Sequence, residues 1–161
     1  VPDLEKSRRG VEVVAGLNKV VVDALAAGRN VLIYPAGQLT NGGLEHVGNK
    51  QGAWQVCRQL PNGTRVVGMR IQGLWGSMWS RAKTGKSPNF LWTYMKAVFY
   101  VLANFIFFVP RRDVTITFED ITGDAVRYAE EGRQPFNRYL ESFYNAEGEE
   151  KPLYLKHLFY N

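Results

Sequence analysis

The sequence contains one cysteine, Cys57, and two histidines, His46 and His157, in 161 residues. A lone cysteine closes no intrachain disulfide, so stability must come from a packed core, and a chain of this length can bury one. Cys57 lies in a stretch of helical periodicity, which makes a buried, unreactive thiol the simplest reading. Neither histidine stands in a metal-ligand spacing such as His-Glu-x-x-His, so no metal and no cofactor is expected. The first residues, Val1-Pro2-Asp3, include no initiator methionine and no basic segment followed by an apolar one. The chain is therefore read as a piece whose start lies upstream. Internal repeats, low-complexity tracts and long linkers are all missing, which predicts a single domain over residues 1–161.

Apolar residues make up 45% of the chain and charged residues 22%, which excludes wholesale disorder, collagen and coiled coil. Lys plus Arg number 20 against 15 for Asp plus Glu, a formal net charge of +5 that favours anionic partners. The charges are scattered and no nucleic-acid-binding signature accompanies them, so nucleic acid is not an expected partner.

Between Arg9 and Ala27, Val14, Leu17, Val21 and Leu25 form the stripe of an amphipathic helix, with Gly28 as its C-cap. Val31-Leu32-Ile33-Tyr34 then reads as a buried strand whose carboxyl end meets Pro35-Ala36-Gly37. Asn49 to Leu60 reads as a helix, Arg65 to Ile71 as a second strand and Val114 to Glu119 as a half-exposed strand with period-two alternation. A helix starts near Asp124, breaks at Gly132 and Pro135, and resumes with Phe136, Leu140 and Phe143 on one side. Ala146 to Lys151 reads as an acidic, solvated tail. Together these elements predict an α/β fold with a central, mostly parallel sheet and helices on its faces.

Phe90 to Val109 is the most apolar stretch. Its length permits a membrane span, but Thr93, Lys96, Tyr100 and Asn104 fall along one polar stripe, and a lysine inside a span is costly. A helix buried against the sheet and a helix lying in a membrane interface are the two leading readings, with a true span the third. The segment before it, Gly73-Leu74-Trp75-Gly76-Ser77-Met78-Trp79-Ser80-Arg81, mixes aromatics, glycines and serines in a long loop. Either Trp75, Trp79 and Lys83 face a lipid interface, or the tryptophans cover the sheet edge.

Tyr34-Pro35-Ala36-Gly37-Gln38-Leu39-Thr40 resembles the Phe-Pro-Glu-Gly-Thr-Arg-Ser motif of the glycerolipid acyltransferases, the lysophosphatidic acid acyltransferase family. Lys50-Gln51-Gly52-Ala53 is similar to the family's Lys-x-Gly-Ala segment, and Val66-Val67-Gly68-Met69-Arg70-Ile71 to its Val-Val-Pro-Val-x-Ile strand. The order and spacing agree over about residues 1 to 75, with Asp3 where the family has an acidic residue, and continue more loosely into Val114 to Glu119.

The resemblance implies transfer of an acyl group from acyl-CoA or an acyl-carrier protein to a glycerophospholipid precursor such as lysophosphatidic acid. It also implies a peripheral location on the cytoplasmic face of an anionic membrane. Tyr34, Pro35, Gly37, Gln38, Lys50, Arg70 and Arg81 become the candidate substrate-binding residues, since a Pro-x-Gly turn exposes backbone N–H groups and nearby cations complete a phosphate pocket.

The departures are specific. Ala36 stands for Glu, Leu39 for Arg and Gly68 for Pro, so the two charged members of the family motif are missing. The family's His-x-x-x-x-Asp pair is also missing, because five residues after His46 stands Gln51 and His157 lies four residues from the end. No catalytic residue is therefore assigned, the domain is read as incomplete, and this chain alone is expected to be inactive. A non-catalytic lipid-binding module of the same fold is the alternative.

Overall fold

A computed structural model describes Gly16 and residues 18–155. They form helices and one small two-stranded antiparallel sheet, a mixed α/β composition without the expected central parallel sheet.

The chain divides into two compact, interleaved units. The first takes in the described residues up to Gly37, together with Val47–Gly68 and Glu119–Ser142; the second takes in Gln38–His46, Met69–Phe118 and the described residues from Phe143 onward.

In the first unit, helix α1 covers residues 18–26. It ends as its sequence predicts. Gly28 adopts φ +73°, its N–H donates to Leu25 O at 2.9 Å, and Arg29 N–H donates to Ala24 O at 3.0 Å, the paired bonds of a glycine C-cap. Val14 and Leu17 of the predicted stripe lie outside the described residues. Helix α2, Gly52–Cys57, is shorter than the predicted 49–60 and is anchored by Trp54, whose indole Nε1 donates to Ala129 O at 3.0 Å.

Helices α4, Thr122–Glu131, and α5, Arg133–Tyr144, break at Gly132, which adopts φ 134°. Asp120 Oδ1 accepts from the Thr122 hydroxyl at 2.6 Å and from its N–H at 3.0 Å, fixing the start of α4 and holding the Asp120 carboxyl below its ordinary range. Ala125, Ala129, Phe136 and Leu140 are buried between these elements, as the 3.6-residue spacing predicts. The connection from Val47 to Lys50 is tied to α5. Glu141 Oε1 accepts from Val47 N–H at 2.7 Å and Gly48 N–H at 2.9 Å, and Asn137 Nδ2 donates to the carbonyls of Gly48 and Lys50.

Strands β1, Val67–Gln72, and β2, Thr115–Asp120, pair in the register set by Ile121 N–H donating to Val66 O at 3.0 Å. Counting outward from that bond sets Ile71 opposite Ile116 and Met69 opposite Phe118. Both strands fall close to their predicted positions, but β2 is exposed on both faces: Thr115, Ile116, Phe118 and Glu119 are exposed while Thr117 is half-buried. Alternation determines which side chains share a face. It does not determine which face is covered.

Val31 to Tyr34 corrects the sequence reading. This stretch is irregular, and Leu32 and Tyr34 are 64% and 70% exposed. A strand exists by pairing, and the run pairs with no strand among the described residues, so its apolar character alone builds no sheet.

In the second unit, helix α3 runs Phe90–Ala103 and is shorter than the predicted 90–109. Asn89 Oδ1 caps its start by accepting from Trp92 N–H at 3.0 Å. Asn104 ends it: the side-chain Nδ2 donates to Tyr100 O at 2.7 Å, and Phe105 and Ile106 then take positive φ of 51° and 62°. Ile106 N–H donates to Val101 O at 2.9 Å, closing the turn. No described helix is long and apolar enough to cross a membrane.

Candidate functional site

The Tyr34–Gly37 segment forms a tight turn, with Gly37 N–H donating to Tyr34 O at 3.0 Å and Gly37 at φ +63°. A Cβ at Gly37 would meet nothing within 4 Å, so glycine is suited here by its backbone conformation and not by crowding. Tyr34 and Gly37 are exposed and Pro35 is half-buried.

The motif continues in the second unit, where it meets an arginine. The Thr40 hydroxyl donates to Leu44 O at 2.7 Å and curls the segment back on itself. Beside it, Asn41 Oδ1 accepts from Arg81 Nη1 at 2.6 Å, while Arg81 Nε and Nη2 both donate to Ser87 Oγ, at 3.0 and 2.7 Å. The guanidinium is thus held from two sides by neutral oxygens. These three bonds leave its charge unneutralised, and it stands next to the motif's last residues. Gln38 is exposed in the same unit.

The other predicted residues distribute differently. Lys50 is exposed and belongs to the first unit, where its carbonyl accepts from Asn137 Nδ2 at 2.8 Å. Arg70 is half-buried and turned inward: Nη1 donates to Phe143 O at 3.1 Å and the guanidinium sits 4.7 Å from the Phe143 ring centroid. Trp75 is buried, whereas Trp79 is 39% exposed and packs on Phe90 with ring centroids 5.5 Å apart. Lys83 is exposed. Of the tryptophan pair, one covers the interior and one meets solvent.

His46 is exposed, and His157 lies outside the described residues. Burial pushes the Cys57 thiol up to about 11, in keeping with an unreactive side chain. An open cleft of about 540 Å³ beside Cys57 is lined by Arg58, Pro61, Asn62, Thr64 and Glu130, and contains none of the predicted substrate-binding residues.

Two residues that shape the loop after β1 were not singled out from the sequence. Arg112 donates to the carbonyls of Gly73 and Leu153, each at 2.6 Å. Glu150, in the segment read as a solvated tail, accepts from Gly73 N–H at 2.8 Å and Trp75 N–H at 3.3 Å. Both bind backbone groups far away in sequence, which no local pattern encodes. A third signal was legible. No Asp or Glu occurs from His46 to Arg112, a run holding ten Lys and Arg residues.

The chain matches no protein-family model, no curated protein and no solved structure.

Proposed function

We propose that this chain carries the acceptor side of a glycerolipid acyltransferase, which passes an acyl group from acyl-CoA or an acyl-carrier protein to a glycerophospholipid precursor such as lysophosphatidic acid at a membrane surface. The fold of such an enzyme, a central sheet flanked by helices, is part of the same proposal. The single observation that carries the reading is the placement of Arg81 at Asn41, directly after the Tyr34–Thr40 motif. The missing arginine of the family motif, where Leu39 stands, is then replaced in function by a guanidinium from the loop after β1.

In this reading the acceptor phosphate sits against Arg81, and its free hydroxyl attacks the thioester carbonyl. The new ester C–O bond forms as the C–S bond breaks and the thiolate leaves, and the hydroxyl proton passes to a general base. Neither His46 nor His157 stands in a His-x-x-x-x-Asp motif, so that base comes from residues outside these 161.

The test is acylation of lysophosphatidic acid by labelled acyl-CoA or acyl-carrier protein. It is run with the 161-residue chain and with the natural polypeptide that contains it. We expect phosphatidic acid from the longer polypeptide and none from the chain alone. Turnover by the chain alone overturns the assignment of the base, and failure of a longer polypeptide that does carry a His-x-x-x-x-Asp motif overturns the activity. Ala36 and Leu39, neutral where the family is charged, favour one second reading, a lipid-binding module without catalysis.

A further inference from the structure

Helix α3 is inverted with respect to an ordinary surface helix. Its protected positions are Thr93 and Asn104, 6% and 0% exposed, with Ala97 and Tyr100 half-buried between them. Placed at 100° per residue, these four occupy an arc of roughly 60°, and the half-buried Ala103 lies outside it on the Lys96 side. The exposed positions Phe90, Leu91, Trp92, Tyr94, Met95, Val98, Phe99, Val101 and Leu102 fill roughly 200° of the remainder, and Lys96 stands at the edge of that arc. Beyond the helix, the positive-φ turn presents Phe105, Ile106, Phe107 and Phe108 outward, Phe107 at 90% exposure. The apolar area shown to solvent is on the order of 1,000 Å², well above the largest patch of a typical monomer.

The breadth of the arc selects the partner. A groove in another protein, or a second copy of this helix, covers a stripe a little over about 100° wide. An arc of twice that width is satisfied by a medium that wraps the helix on three sides. Fourteen residues span about 21 Å, too short to cross a bilayer core, so the helix lies along the interface.

Charge points the same way. From Arg81 to Arg112 the chain carries six cations and no Asp or Glu. Lys83, Lys86, Lys96 and Arg111 are exposed, and Trp79, the residue type that favours the headgroup level, packs against Phe90 at the start of α3.

We propose that α3 and the Phe105–Phe108 turn form a docking surface for an anionic bilayer, immersed lengthwise at the level of the upper acyl chains with the basic residues on the headgroups. The inference rests on the acyltransferase reading only in taking a membrane as the natural setting of the acceptor. The exposure and the charge carry it otherwise, and its test requires no turnover.

The full chain is mixed with unilamellar vesicles of phosphatidylcholine alone or with one-third phosphatidylserine, and binding is read by co-flotation and by tryptophan emission. Expected are binding to the anionic vesicles, weakening several-fold between 50 and 500 mM salt, and a blue shift that Trp92→Phe largely removes while binding persists. Phe107→Ser together with Leu102→Ser, at positions 90% and 62% exposed, should weaken binding about tenfold or more. Absence of anionic vesicle binding by the folded chain overturns the proposal. So does binding indifferent to the paired serine variant, and so does a concentration-dependent dimer that the same variant abolishes. Vesicle binding by the chain, with no acylation by a longer polypeptide that carries a His-x-x-x-x-Asp motif, leaves this inference standing while the activity falls.

Discussion

The guanidinium of Arg70 lies 4.7 Å from the ring centroid of Phe143 and donates to that residue's own carbonyl at 3.1 Å. A planar cation is required to do both at once. Arg70→Lys keeps the charge but loses the stacked plane and the fork geometry, so thermal or urea unfolding should show a loss of about 1 kcal/mol. Affinity for a lysophospholipid phosphate should stay unchanged, because the side chain is already committed to Phe143. A selective loss of lipid affinity with stability intact would return Arg70 to the acceptor site.

Gly76 adopts φ +90°, and a Cβ there would lie 2.5 Å from both the N and the O of Leu153. These are backbone atoms, which cannot move aside as a flexible side chain does. Gly76→Ala should therefore cost at least about 2 kcal/mol of stability, measured by urea unfolding, from the strained φ together with the displaced 150s segment. A variant as stable as the parent would contradict the packing of Leu153 on this loop.

Cys57 titrates at about 11 because its thiolate is desolvated. At neutral pH it should react with iodoacetamide about a hundredfold more slowly than an exposed cysteine, and at the ordinary rate once the chain is unfolded. The raised value also sets a sign for stability. The folded state holds its proton more tightly than the unfolded state, so the contribution is complete below pH about 9 and is lost as pH rises toward 11, by at most about 2 to 3 kcal/mol. Cys57→Ala should flatten that alkaline slope in a pH series of urea midpoints.

Much of the first unit was legible from the sequence. Phe136 and Leu140 announced the buried side of α5, Gly132 announced the break before it, and Gly28 announced the end of α1 through the one residue that takes φ +73° without cost. What was not legible depended on partners distant in sequence. Val31 to Tyr34 has the composition of a buried strand but no paired strand among the described residues. The apolar side chains of β2 alternate as predicted yet are exposed, as Thr115 and Glu119 on the other face are. Asn104, read as one member of a polar stripe, is in addition the residue that ends α3 by binding Tyr100 O.

The candidate site was legible in the same partial way. Arg81 was named as a cation that would complete the phosphate pocket, and its bond to Asn41 is what joins it to the motif. Arg70 was named as a cation near the turn, and its half-buried stacking on Phe143 gives it a structural task. Glu150 was read as part of a solvated tail because charge suggests solvent, whereas two backbone N–H groups hold it in place.

Arg81 is the group proposed to meet the acceptor phosphate. The direct measurement is the affinity of the chain for lysophosphatidic acid and for the uncharged monoacylglycerol of the same acyl length, with and without Arg81→Gln. Loss of one charge-assisted contact should weaken lysophosphatidic acid binding about tenfold and leave monoacylglycerol binding unchanged. Equal affinity of parent and variant for lysophosphatidic acid, with the variant folded, would contradict the proposed acceptor site.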